Sequence, residues 1–442
     1  MRGARTETDH LNVWMNGVRV GAWTRRSGAP DRFAYDDAWV ESPAARVLSL
    51  SLPFLPENAP QVGAAVGWFF DNLLPDHEVI RRRVQARFGT ETDGAFDLLS
   101  AIGRDCVGAV QLLPPGEAPA GIETLKAEPL AERDVEAIIE ASLVTGGGAT
   151  ENPEHFRISL AGAQEKTALL WHGGRWCRPL GTTPTTHIFK LPLGLVGNLG
   201  FDLHDSVENE WLCGRLLAEF GLPVASSEIA HFGRRKVLVV ERFDRLPQED
   251  GWIARRPQED FCQALGVPGL RKYEIDGGPG IGDMLRVLAG GARPEEDARM
   301  FLRAQIAFWL LAAIDGHAKN FSIFHERGGT YRMAPFYDVL SAWPMIGRGR
   351  GKLELQKVRM AMAVRSKNAH WKLDEIRPAH WSAVARRAGL GDADDLLHAF
   401  AESGDRVLAK VARSLPRGFP ETVSEPVFRG VERGLRGLAT QR

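Results

Sequence analysis

The sequence predicts an α+β protein of more than one domain, and three observations carry that prediction. At 442 residues the chain is longer than one hydrophobic core usually organises. Short alternating apolar runs with Asn, Gly and Pro between them fill its first part, whereas the stretch beyond about residue 245 reads as mostly helical. One long apolar run ends in a cluster of polar residues, Ile314-Asp315-Gly316-His317-Ala318-Lys319-Asn320-Phe321, with Phe336-Tyr337-Asp338 following.

Composition narrows the class. Hydrophobic residues at 44% and charged residues at 25% fit a soluble globular protein. A net charge of −1 provides no global field toward nucleic acid or membrane. The apolar run near Ile306–Ile314 is shorter than the roughly 20 residues a bilayer requires, and the charged start Met1–Asp9 lacks an apolar signal core. Cys106, Cys177, Cys213 and Cys262 are far apart in sequence, which suits reduced thiols in the cytoplasm better than disulfides.

Taken in order, Leu11–Met15 and Val18–Gly21 flank Asn16-Gly17, a hairpin signal. Val47–Leu52 alternates like a strand, Val62–Leu74 and Val79–Phe88 read as helices, and Gly108–Leu113 closes this part. A helix over Glu132–Leu143 leads to the flexible Gly146-Gly147-Gly148, which places a boundary near 150. Arg157–Leu170 reads as strand, small-residue turn, strand, with Gly162 able to let backbone N–H groups approach an anion; a plain hairpin has the same pattern. Lys190 lies inside the apolar strand Thr186–Pro192, and a buried ammonium needs a partner. Ser206–Phe220 reads as a helix capped by Ser206 and ended by Gly221 and Pro223; Glu208 or Glu210 is placed to pair with Lys190. Lys236–Arg245 is a buried strand with a charged exit. Ala304–Ile314 is a buried helix ending at Asp315-Gly316, and Phe321–Phe324 with Thr330–Met333 form a hairpin that returns Asp338 toward Asn320. The basic run Arg348–Lys367 suits either an acidic partner or a solvated loop.

An Asp, an Asn five positions later and a second Asp after a hairpin form the acidic layout of phosphoryl transfer. The first Asp takes the proton of the attacking hydroxyl, while the Asn and the second Asp offer oxygen ligands to Mg²⁺, which neutralises the ATP phosphates. The layout implies a protein-kinase-like two-lobed fold, and the alternating strands and helices before the boundary near 150 imply an additional N-terminal α/β domain. The divisions expected are 1–149, 150–245 for the N-lobe with its phosphate loop, and 246–442 for a mainly helical C-lobe.

Several separated motifs, in order, resemble the HipA family: Ser159–Thr167, Thr186–Pro192, Val240–Arg245, Gln258–Gly266, Asp315–Phe321 and Tyr337–Val339. Phe69–Pro75 and Gly103–Val110 resemble the first domain of that family, so the likeness spans nearly the whole chain. The resemblance implies a serine/threonine-protein kinase toxin of a type II toxin–antitoxin pair. It implies that Asp315 is the catalytic base, that Asn320 and Asp338 hold Mg²⁺, and that Lys190 meets the ATP phosphates. Ala161, Gly162, Ala163, Gln164, Glu165 and Lys166 would form the phosphate loop, and Glu241, Arg242 and Phe243 the adenine site. His317, Lys319 and Tyr337 fall within the nucleotide-binding motifs. Ser159 matches an autophosphorylated serine whose modification silences the kinase; a phosphate there adds about −1.5 to −2 charges beside the ATP phosphates. The implied partners are a HipB-like helix-turn-helix antitoxin, operator DNA mainly through that antitoxin, and an aminoacyl-tRNA synthetase as substrate. A small-molecule kinase on a similar fold, and an ATP-binding corepressor scaffold without catalysis, are the competing readings.

Overall fold

The computed structural model describes residues 8–143, 164–196, 200–349 and 351–439. Ser159, Ala161, Gly162, Ala163 and the Gly146–Gly148 stretch lie outside the described residues.

The first unit is a five-stranded sheet in the order Gln61–Val62, Arg32–Tyr35, Val18–Arg26, Thr8–Met15, Val110–Leu113. The Asn16-Gly17 hairpin forms where the sequence places it, with positive φ at both residues (46° and 81°), which Asn and Gly tolerate and which matches the twist of the flanking strands. The helices Ala64–Asp71 and Ala95–Ile102 cover the sheet and bury Phe69, Phe70 and Leu99 against Trp23 and Phe33. Val47–Leu52 is not a strand. Its alternation is instead an interface with the second unit: Ser49 and the Leu50 N–H donate to Glu259, and Ser51 donates to the Gln263 carbonyl. These side-chain partners satisfy the backbone without a ladder.

The second unit carries a six-stranded antiparallel sheet in the order Ser227–Phe232, Arg235–Glu241, His187–Lys190, Lys166–His172, Arg175–Pro179, Ala127–Pro129. The helix Glu132–Leu143 lays Val135, Ile138 and Ile139 on one face against Leu169, Phe189 and Val237. Ala127–Leu143 therefore packs with this sheet and not with the first. The helix Ser206–Glu219 lies against the Ser227–Phe232 and Arg235–Glu241 strands. Ser206 does not cap it. It is the first helical residue, and its hydroxyl accepts from the Leu193 N–H.

The rest of the chain is less purely helical than expected. The helix Pro294–Leu311 runs through its core and stops three residues earlier than predicted. Ala312 turns left-handed (φ 49°), and the carbonyls of Leu311 and Ala312 are taken up by the Ser341 hydroxyl and the Ala342 N–H. The last apolar residues of the run thus form a turn that delivers Asp315. Ser322–His325 and Tyr331–Met333 form the expected hairpin, and Gln258–Asp260 adds a third strand. Arg359–Arg365, in the basic run, is neither loop nor helix but a strand paired with Ala369–Lys372, because Met360–Val364 are buried.

Candidate active site

Lys190 and Lys166 occupy neighbouring strands in direct register, so two ammonium groups share one face of the sheet. Like charges directly opposite one another are unfavourable unless anions lie between them. Two carboxylates supply this. Lys190 Nζ donates to Glu210 Oε1 at 2.6 Å and to Asp338 Oδ1 at 2.8 Å, with only 8% of its side chain exposed. Glu210 is therefore the helix acid that pairs with Lys190, while Glu208 pairs with Lys236. Burial works against the Lys190 ammonium, but Asp338 and Glu210 outweigh it and hold the pKa above the ordinary lysine value. Burial lowers Lys166 to about 8. Burial also opposes the Asp338 carboxylate, yet Lys190 and Lys166 keep it well below the usual range. Asp338 adopts a left-handed backbone (φ 60°), a conformation uncommon for a residue with a side chain and concentrated at functional sites.

Asp315 faces this group from the turn after the long helix. Its side chain is 61% exposed. Desolvation by the surrounding protein is the first cause of its raised pKa, with the Asp338 carboxylate adding to it. The Tyr273 hydroxyl donates to Asp315 Oδ1. Asn320 Nδ2 donates to the Asp315 carbonyl at 2.8 Å, which commits the amide nitrogen and leaves its oxygen as an acceptor. Tyr337 donates to the Lys319 carbonyl at 2.9 Å and stands 5.8 Å, ring to ring, from Phe243, so the Asp338 segment is tied to the Asp315–Asn320 loop.

Other predicted positions have different surroundings. Lys319 is buried, with Nζ donating to Asn72 and Asp260. The Arg242 side chain is committed to a buried ionic cluster with Asp105 and Asp244. The N–H groups of Glu241 and Arg242 are used by Ser226 and Thr186. Glu241 is exposed, whereas Phe243 packs edge-on to Phe324. Gln164 donates to the Leu191 carbonyl, and Glu165 pairs with Arg83 of the first unit. Spacing alone carried no signal for Tyr273, Asn72 or Asp76. Glu208 and Glu210 are both buried on their helix, so helical spacing did not separate them.

His317 is buried, lies 3.9 Å from Asp315 and packs edge-on to Tyr273. Burial depresses its pKa to about 3, so the imidazole stays neutral at physiological pH. The unfolded chain takes up a proton near 6.5 and the folded one only near 3, so stability should fall as pH drops through that window. At pH 5 the loss from this residue is about 2 kcal/mol. Urea unfolding at pH 7 and pH 5 should show it, and His317→Gln should flatten that slope.

The donor set suits a nucleotide with its hard cation: paired lysines for phosphate oxygens, and a carboxylate with an amide oxygen for Mg²⁺, which keeps several waters and needs few protein ligands. Comparison with known proteins bears on this geometry. A family model described as HipA-like C-terminal domain matches residues 158–415, and one described as HipA N-terminal domain matches residues 11–113. The chain belongs to the HipA family of kinases.

Among HipA relatives, Y4mE of Sinorhizobium fredii, assigned as a kinase by name, is 36% identical over 391 residues, covering 86% of each chain. The serine/threonine-protein kinase toxin HipA of Shewanella oneidensis is 31% identical over 304 residues, covering 65% of this chain and 66% of that one. A solved Shewanella oneidensis MR-1 structure of HipA with HipB and operator DNA matches over 97% of this chain and 96% of that one, with a TM-score of 0.76 and 25% identity. The two-lobed α+β kinase fold is thus that of the family. Among the described residues no helix is long and apolar enough to cross a membrane.

Proposed function

We propose that this chain is an ATP-dependent serine/threonine-protein kinase toxin whose base is Asp315. The observation that carries the reading is the register of Lys166 opposite Lys190 with Asp338 between them. Such a cluster is balanced for anions that come and go. Bound ATP supplies the phosphoryl group. Lys190 and Lys166 would hold its phosphates, and Asn320 and Asp338 its Mg²⁺. Glu210 keeps Lys190 charged and aimed. The exposed Asp315 carboxylate accepts the proton of an incoming serine or threonine hydroxyl, and Asn320 fixes the loop that presents it. Phe243 and Tyr337, 5.8 Å apart ring to ring, would offer aromatic surface to the adenine, with Gln164 and Glu165 at the end of the phosphate loop.

In this reading the chain divides into an N-terminal unit, an N-lobe through Arg245 and a C-lobe beyond it, with Ala127–Leu143 assigned to the N-lobe it covers. The family resemblance further supports an aminoacyl-tRNA synthetase as acceptor, self-phosphorylation at Ser159, a HipB-like antitoxin, operator binding through that antitoxin, and residence in the cytoplasm.

Incubation of the purified chain with Mg²⁺-ATP, followed by peptide mass spectrometry, tests the core of the proposal. One phosphate at Ser159 is the expected result; an unmodified chain that still binds ATP would overturn it. Asp338→Asn should weaken Mg²⁺-ATP binding by about 10- to 100-fold, read by calorimetric titration, because a ligand to the cation loses its charge. Unchanged affinity removes Asp338 from the metal site.

A further inference from the structure

The motif Phe69–Pro75 belongs to the N-terminal unit, yet its polar residues reach the Asp315 loop. Asn72 is 2% exposed and follows the helix Ala64–Asp71. Its Nδ2 donates to the carbonyls of Trp68 (2.8 Å) and Val267 (3.0 Å), which fixes the amide and turns Oδ1 toward Lys319. Lys319 Nζ donates to Asn72 Oδ1 (2.8 Å), to the Asn72 carbonyl (3.0 Å) and to Asp260 (3.0 Å). Asp76, four residues on, pairs with Lys272 at 2.9 Å and lies 3.9 Å from Lys319.

Lys272 passes this bracing to the acid. Its carbonyl accepts from the Ala318 N–H at 3.2 Å, and its neighbour Tyr273 donates its hydroxyl to Asp315 Oδ1. Tyr273 is held from the other side as well. The Gly278 N–H donates to its carbonyl at 3.0 Å, and Glu274 pairs with Arg365 and accepts from the Ala363 N–H at 2.7 Å. The Tyr273 ring packs edge-on to His317, 4.9 Å between centroids. Asp315 itself is largely open to solvent, so without the phenol its carboxylate has few contacts to select one rotamer. A misplacement of about 1 Å at a reacting group can cost about 10²-fold in rate.

We infer that the N-terminal unit is a working part of the active site: Asn72 and Asp76 brace the 315–320 loop, and Tyr273 is the positioning residue that fixes the Asp315 carboxylate. This rests on the reading of Asp315 as the base. A phenol held at both flanks suits a fixed strut, with the second carboxylate oxygen left for the acceptor hydroxyl. The N-terminal unit then contributes alignment of the base.

The test uses full-length wild type, Tyr273→Phe, Asp76→Asn and the double variant, each with Mg²⁺-ATP and the chain itself as acceptor. The maximal rate of self-phosphorylation should fall tenfold or more in each single variant, with half-saturating ATP changed less than twofold. The double variant should fall no more than about threefold below the slower single variant, since both act on one carboxylate. Hydrogen exchange read by mass spectrometry should quicken at 315–320 in both single variants and stay unchanged in the helix Pro294–Leu311. A rate within twofold of wild type in Tyr273→Phe, losses that multiply in the double variant, or equal quickening in that helix would overturn the inference. If wild type transfers no phosphate, the kinase reading fails separately. The exchange data then decide the bracing alone: faster exchange at 315–320 supports it, and unchanged exchange overturns it.

Discussion

Asp315→Gln should lower phosphoryl transfer by about 10²- to 10⁴-fold while leaving ATP binding within a few-fold of wild type. In the proposed role the carboxylate accepts the proton, and the glutamine amide, one methylene longer, cannot take one at neutral pH. The phosphate and metal ligands proposed here, Lys166, Lys190, Asn320 and Asp338, are untouched. Asn320 still donates to the backbone carbonyl at position 315, so the loop keeps that tie. Initial rates of self-phosphorylation beside a nucleotide titration separate the two quantities. Transfer within tenfold of wild type would remove Asp315 as the base. Lost nucleotide binding would instead assign it to the phosphates or their cation.

The second large effect is on stability. Asp105→Ala should destabilise the chain by about 3–5 kcal/mol, read as a lower urea midpoint. Asp105 is 4% exposed and accepts from Arg245 (2.8 Å), Arg255 Nε (3.3 Å), Arg242 (3.3 Å) and both the N–H and hydroxyl of Thr185. Burial opposes the charged carboxylate, and the guanidinium groups of Arg245, Arg242 and Arg255 override it, so its pKa lies below the ordinary range. Without it, the buried Arg242 and Arg245 share only Asp244, and Arg255 loses its carboxylate and keeps the Thr182 carbonyl. Since Asp105 belongs to the N-terminal unit and the arginines to the segment after the central sheet, the two units should loosen together. A loss under about 1 kcal/mol would mean that water or a rearranged Asp244 replaces it. Gly108 is part of the same joint. Its N–H donates to Asp244 at 2.7 Å, its φ is +72°, and an added Cβ would meet the Gln258 carbonyl at 2.7 Å.

Much of this protein was legible in one dimension because its signals are local. The Asn16-Gly17 turn, the helix Glu78–Phe88 and the Ser322–Met333 hairpin follow from short-range backbone preference and periodicity. Where sequence reading failed, long-range partners had replaced local ones. Ser49 and Ser51 alternate with leucines because they bond Glu259 and Gln263, some 210 positions away, not because they form a strand. Ser206 has the composition of a cap but bonds Leu193. The helix Pro294–Leu311 ends early because Ser341 and Ala342 take its last carbonyls.

The candidate site divides along the same line. By itself the sequence determined the chemical inventory, Asp315, Asn320, Asp338 and Lys190 at spacings that suit phosphoryl transfer, because the type of a side chain and its distance along the chain fix what it can ligate or protonate. Only the tertiary structure chose Glu210 over Glu208, set Lys166 opposite Lys190, committed Arg242 to the Asp105 cluster and brought Tyr273, Asn72 and Asp76 to the Asp315 loop. Those choices depend on which way a helix faces, on strand register and on the docking of two hydrophobic cores. Such quantities are fixed by packing between segments tens to hundreds of residues apart, and no local pattern encodes them.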